Sequence, residues 1–253
     1  MIDTHCHLCD KRFDKDRTHV LDRAHQVGVT HFVEIAYEPG VWAKGFALAA
    51  QHPNVFLSVG VHPNSAGKVA MEHLPALRDH ARHARVVAIG EIGMDFFRDY
   101  CPREDQERWF RTQIALANEV GLPVIIHQRS ALEDVLGILE SSPVDAGGVL
   151  HCFDQDTATV ERARKIGFKL GLGGVLTYGH AELDEAVRTA PEDMLLLETD
   201  APYLEPEPRS LKRNEPSLLP RVVRRLCELR GWEPAQAVEI TRRNAKELFR
   251  LPI

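Results

Sequence analysis

Positive charge is the first thing this chain lacks. Lysine and arginine total 31 against 37 aspartates and glutamates, giving a formal net charge of −6 and a pI of about 6.1. Bulk attraction to a polyanion is thereby excluded, so any phosphate must be bound locally. Long apolar stretches are missing too: no run reaches the roughly 18 residues that a membrane-spanning helix needs. The opening MIDTHCHLCDK carries no basic segment leading into an apolar one, and a cytoplasmic location with no membrane contact is the expectation. Cysteine is sparse, with Cys6, Cys9, Cys101, Cys152 and Cys227 forming an odd, scattered set that suits a reducing compartment better than a disulfide framework. Cys6 and Cys9 have the spacing of a zinc knuckle, but no second cysteine pair follows. No linker, low-complexity stretch or charge block divides the 253 residues, so one domain spanning 1–253 is expected.

What is present is a regular alternation. Short apolar runs read as strands at 2–7, 31–36, 55–61, 86–89, 123–127, 148–151, 168–172 and 194–199. Helical patterns separate them at 17–27, 41–51, 71–83, 103–120, 132–140, 157–166 and 181–190, with further helices at 218–230 and 234–249. Eight strand-then-helix units predict an α/β fold, a closed TIM (β/α)8 barrel rather than an open sheet.

The stretch VVAIGEIGMDFF, 86–97, holds the key residue. Val86 to Ile89 read as a strand buried on both faces and closed by Gly90, and Glu91 follows at once. An ionised carboxylate there costs several kcal/mol unless a cation meets it. A metal ion satisfies that need, and so would an arginine or a helix terminus. In the first strand, period-2 geometry groups Asp3, His5 and His7 on one face, so two imidazoles can grip one ion. His62, His127, His151 and Asp200 stand at the ends of the third, fifth, sixth and eighth strands, and barrels carry their chemistry at those ends. The remaining histidines, 19, 25, 31, 52, 73, 80, 83 and 180, fall mainly in helical or loop patterns and read as surface residues. A mixed imidazole and carboxylate set suits Zn²⁺, Mn²⁺, Co²⁺ or Mg²⁺. Glu91 can give one oxygen to each of two ions, a pair that can activate water and stabilise a leaving alkoxide, while Asp200 can hold a metal and take a proton. Arg129 and the run Lys212, Arg213, Asn214 are candidate contacts to a phosphodiester backbone, and Gly171, Gly173 and Gly174 a candidate phosphate cradle.

The motifs DTHCHL, GVHP, GEIGMDFF, PVIIH, HCF, ETDAPYL and KRNEP occur in this order. With them the chain resembles the TatD family of metal-dependent deoxyribonucleases, within the amidohydrolase-like barrel superfamily. The resemblance implies one metal held by His5, His7, Glu91 and Asp200 and a second by Glu91, His127 and His151. It also implies a substrate contact for His62, an acid/base role for Asp200 and a part for Glu198 in holding a further ion. Two, or with Glu198 three, divalent ions (Mg, Mn or Zn) are the implied cofactors. Single-stranded DNA trimmed from its 3′ end is the implied substrate and DNA repair the implied setting; no stable protein partner is evident. The sequence departs from the family pattern at Ser130, where an acidic residue is usual, at Asp154-Gln155, where a Gly is lost, and at Ser210-Leu211.

Two other readings compete. One is hydrolysis of a carboxylic ester or amide, as in a D-aminoacyl-tRNA deacylase, since the same barrel serves both chemistries. The other is a non-catalytic nucleic-acid-binding partner that keeps the barrel as a scaffold.

Overall fold

The computed structural model describes residues 1–253 apart from Asp99 and 210–212. Eight parallel strands pair in sequence order, β1 (Ile2–Cys6), β2 (His31–Ala36), β3 (Val55–Val59), β4 (Val86–Asp95), β5 (Val124–Arg129), β6 (Gly148–Leu150), β7 (Phe168–Leu172) and β8 (Leu195–Leu197). The ring closes where Cys6 bridges Ala201, His7 N–H donates to Ala201 O at 2.8 Å and Asp200 N–H to His5 O at 2.9 Å. The result is the expected TIM barrel. Between the strands run α1 (Arg17–Gln26), α2 (Pro39–Gln51), α3 (Leu74–Ala81), α4 (Arg103–Val120), α5 (Leu132–Ser141), α6 (Thr157–Lys165) and α7 (Ala181–Thr189), followed by α8 (Leu219–Arg230) and α9 (Pro234–Phe249).

Apolar residues form two layers. Strand residues pointing outward, such as Phe32, Leu57, Ile89 and Leu170, pack beneath the helices. Those pointing inward, Val33, Ile35, Phe56, Ala88, Ile125 and Leu196, fill the barrel, and Leu248 and Phe249 at the end of α9 pack against them. The interior is thus a solid core, leaving the opposite, C-terminal end of the strands for chemistry.

Most boundaries fall within a residue or two of the sequence expectation, and two differ for local reasons. The pattern at 71–83 splits into a 3₁₀ turn, Met71–His73, and α3. Pro75 lacks the N–H that a helix interior requires and sits in the first turn, where it is tolerated. Strand β4 does not stop at Gly90 but continues to Asp95, because Gly93, Met94 and Asp95 pair with His127, Gln128 and Arg129 of β5. Gly93 makes this possible: its φ is +134° and any Cβ would overlap the His127 carbonyl. Among the described residues no helix is long and apolar enough to cross a membrane.

Candidate metal centre

Two irregularities in the sheet aim the central side chains. Asp3 pairs with Phe32 and Cys6 with Glu34, so Thr4 and His5 together oppose Val33 alone. This extra residue breaks the simple alternation: Asp3 keeps to the outward side of its partner Phe32, while His5 turns into the barrel mouth. On β4, Gly90 pairs with Ile125 and Ile92 with Ile126, leaving Glu91 without an opposite residue. Glu91 therefore lies on a bulge within the strand rather than at its end, and bulges are a known means of re-aiming a side chain beside a site.

The side chains converge in two groups that share Glu91. In the first, His5 Nε2 and His7 Nε2 are 3.3 Å apart. Asp200 Oδ1 is 3.2 Å from His7 Nε2 and 3.6 Å from His5 Nε2, and Glu91 Oε2 is 3.6 Å from His5 Nε2 and 4.0 Å from His7 Nε2. Four ligands at metal-ligand distances of 2.0–2.2 Å around one tetrahedral ion would stand about 3.3–3.6 Å from one another. The spacing fits. In the second group Glu91 Oε1 lies 2.8 Å from His127 Nδ1, 3.6 Å from His151 Nε2 and 3.8 Å from His62 Nε2. A third set of ligand-type atoms, from His5, His151 and Glu198, is entirely buried.

Carboxylates stand behind the second group. Asp95, 1% exposed, brings Oδ2 to 3.2 Å from His127 Nε2 and accepts from Asn64 Nδ2 at 3.1 Å. Glu198 Oε1 is 2.8 Å from His151 Nδ1 and accepts the Cys152 N–H at 2.6 Å. Burial by itself lowers the pKa of both imidazoles; Asp95 and Glu91 reverse this for His127, raising it to about 9, and Glu198 with Glu91 does so for His151, raising it to about 10. Burial pushes Glu91 up, but the surrounding imidazoles outweigh it and hold the carboxylate well below its ordinary range. Such a nest of buried, proton-hungry donors is matched to divalent cations, which replace the protons. Asp3 supports the first group by accepting Thr199 Oγ1 at 2.6 Å and the N–H groups of Thr199 and His5 at 3.0 and 3.3 Å, which ties β1 to the segment carrying Asp200. Asp200 itself has φ +57°, a conformation aspartate tolerates better than most residues.

His62 is set apart by its tautomer. Burial depresses it to about 3, so the ring is neutral, and its Nδ1 accepts the Asn64 N–H at 3.0 Å. With Nδ1 accepting, the proton sits on Nε2, which points toward Glu91 as a hydrogen-bond donor; the same nitrogen forms a set of ligand-type atoms with Glu91 and His127. Two clefts meet at His127, His151, Asp200, Arg98 and Tyr203: one of about 380 Å³ reaching Tyr37, Asn64 and Tyr100, the other of about 490 Å³ reaching Arg129, Asp154 and Leu204. A third cleft, about 530 Å³ beside α1 and α2, contains none of the three ligand sets.

Several sequence expectations are corrected. Gly171 makes room for Glu198, whose carboxylate a Cβ at 171 would overlap, Gly173 packs against the Glu198 backbone, and Gly174 faces the Leu204 carbonyl; all three are buried, so they form no phosphate cradle. Asn214 is 1% exposed and donates to the carbonyls of Thr199 and Tyr203, both at 2.7 Å, so it braces the loop after β8 and cannot touch a substrate. Arg213 is held away from the mouth by Asp16, the Arg12 carbonyl and the Phe13 ring. Arg129 does line the second cleft, and Lys212 lies outside the described residues. Ser130 is exposed and lines neither cleft, so the acidic residue missing there leaves the site intact, whereas Asp154 adds its charge to the second cleft. Cys6 and Cys9 are buried in the outer apolar layer, and no cysteine belongs to a ligand set among the described residues. Asp95 was the residue missed; the signal was an acid inside the apolar run Met94 to Phe97.

Comparison with known proteins places this arrangement in a family. The profile of the TatD-related DNases matches residues 2–250. The chain is 37% identical to the Bacillus subtilis protein named uncharacterized metal-dependent hydrolase YabD, over 99% of both chains. It is 36% identical to the 3′-5′ ssDNA/RNA exonuclease TatD of a Rahnella strain, over 99% of this chain and 98% of that one. The crystal structure of YjjV, a TatD homolog from Escherichia coli K12, superimposes with a TM-score of 0.92 at 32% identity, covering 100% of this chain and 98% of the other. The chain belongs to the family of TatD-related DNases.

Proposed function

We propose that the chain is a divalent-metal-dependent hydrolase that shortens single-stranded DNA from its 3′ end in the cytosol. The observation that carries this reading is Glu91, whose two carboxylate oxygens each face a separate set of imidazoles. His5, His7, Glu91 and Asp200 would hold one ion, and Glu91, His127 and His151 the other. Bound there, the ions supply an activated water and neutralise the charge that builds on a phosphoryl group. The other roles fall to the protein's own groups. Asp200, open to the cleft, takes the proton released as water attacks. His62 donates from Nε2 to a non-bridging phosphate oxygen, a bond that strengthens as that oxygen gains charge. Asp95 and Glu198 fix the ring orientation of His127 and His151, and Glu198 with His5 and His151 would hold a further ion. The cytosolic setting is supported by five free cysteines.

The test is degradation of a 5′-labelled single-stranded DNA with Mg²⁺, Mn²⁺ or EDTA, beside Glu91→Gln and His127→Asn. Stepwise shortening that requires metal and falls by more than roughly 100-fold in both variants is the expected result, since outer partners alone are worth 10–100-fold. Absence of cleavage by folded, metal-loaded protein overturns the reading and points to a carboxylic ester or amide as substrate.

A further inference from the structure

Large hydrophobic side chains are normally withdrawn from water, and a cluster left exposed marks a binding surface. Among the described residues five are exposed: Tyr100 (57%), Tyr203 (43%) and Leu204 (38%) line the clefts at the metal centre, Phe97 (62%) stands beside them against Arg129 of the second cleft, and Val27 lies apart at the end of α1. Each aromatic ring has its own arginine. The Arg129 guanidinium lies 3.7 Å from the Phe97 centroid, Arg98 lies 5.5 Å from that of Tyr100 and donates to its hydroxyl at 3.0 Å, and Arg12 lies 4.1 Å from that of Tyr203. The set is continuous with the site: Tyr203 meets the His7 ring edge-on at 5.6 Å, and Arg98 lines both clefts. The loop bearing Phe97 and Arg98 is fixed in place, because both N–H groups donate to Asp95 Oδ1 at 3.0 Å. The same carboxylate touches His127 through its other oxygen.

We infer that Phe97, Tyr100 and Tyr203 are stacking platforms for the bases beside the scissile phosphodiester, with Arg129 and Arg98 backing the first two rings and meeting the phosphates, while Arg12, paired with Asp10 at 3.0 and 3.1 Å, backs Tyr203 only. The inference rests on the nuclease reading above and adds what selects the substrate. In a chain of net charge −6, Arg98 and Arg129 supply the local positive charge that phosphate binding demands. Bases of a duplex are stacked on one another and present no free face, so a ring platform selects single strands; it is also indifferent to sequence, because every base has a π-face.

The experiment compares kcat/KM for a thymidine 12-mer with that for the same strand carrying abasic residues at its last three positions, in wild type, Phe97→Ala, Tyr100→Ala and Phe97→Trp. Phe97 and Tyr100 are exposed, so folding is not at risk. Wild type should prefer the intact strand by about tenfold or more, the two alanine variants should each narrow that preference by about fivefold through KM, and tryptophan should restore it, as expected for base–aromatic stacking. Equal rates on both strands in wild type, or alanine variants that slow both strands alike, overturn the platform and leave the nuclease reading standing. Failure of wild type to cleave either strand removes both.

Discussion

Asp95→Asn is the substitution that tests the arrangement most sharply. The backbone at this position is locked independently of the side chain, since Asp95 N–H donates to Gln106 Oε1 at 2.8 Å and Gln106 Nε2 donates back to Asp95 O at 3.1 Å. The carboxylate serves four neighbours: Oδ2 faces His127 Nε2 and Asn64 Nδ2, and Oδ1 accepts from the N–H groups of Phe97 and Arg98. An amide has a single acceptor oxygen, so in either orientation its NH₂ confronts two donors. Each buried donor left unpaired costs about 1–3 kcal/mol. If the oxygen stays with the loop, His127 loses the group that fixes its tautomer and ring, a loss worth 10–100-fold in metal affinity, about 1.4–2.7 kcal/mol. The assay is competition with a chromophoric chelator, followed by cleavage of labelled DNA at saturating metal. We expect weaker binding of one ion of the two, with turnover partly recovered at high metal. A variant that binds both ions and cleaves as wild type does would refute an outer-shell role for Asp95.

Two other substitutions probe the frame. Gly171→Ala drives a methyl into the Glu198 carboxylate; with β7 held between β6 and β8 the side chain must yield, so turnover should fall at least about tenfold and stability by about 1–3 kcal/mol, while near-wild-type activity would show that the Glu198–His151 contact is dispensable. Glu215→Gln removes a bidentate pair to Arg23, at 2.8 and 2.7 Å, that joins the segment before α8 to α1. Burial pushes Glu215 up, but Arg23 and Ser217 outweigh it and hold its pKa below the ordinary value. A depressed carboxylate stabilises the fold above its unfolded pKa of about 4.3 and loses that contribution as pH falls through the folded value. After discounting for the half-exposed arginine, the variant should be less stable by about 1 kcal/mol at pH 7. Thermal unfolding should show the gap closing below about pH 4; a pH-independent gap would assign the effect to packing.

The barrel was legible because its evidence is distributed: eight apolar runs at regular intervals survive an error at any one of them. β7, α4 and α9 have the bounds that periodicity assigns. The centre was legible in residue types, since imidazoles and carboxylates at strand ends have no role in building a core. Their directions were not legible. Alternation groups Asp3 with His5, and only pairing with β2 reveals the extra residue that separates them. Gly90 reads as a strand terminator by local rules, yet the ladder to β5 carries β4 past it to Asp95. The same limit applies to Asn214, whose polar side chain suggests a ligand contact until burial shows it bracing carbonyls.

The seam between β1 and β8 brings together residues almost two hundred positions apart, His7 with Asp200 and Asp3 with Thr199. Contacts of such separation carry a large loop-closure entropy, and joining β1 to the segment after β8 is what completes the ring. The site is therefore absent from any intermediate in which the ring is still open. A nascent or partly degraded chain has histidines and carboxylates but no place where they meet, so destructive chemistry is withheld until the last piece of the barrel has docked.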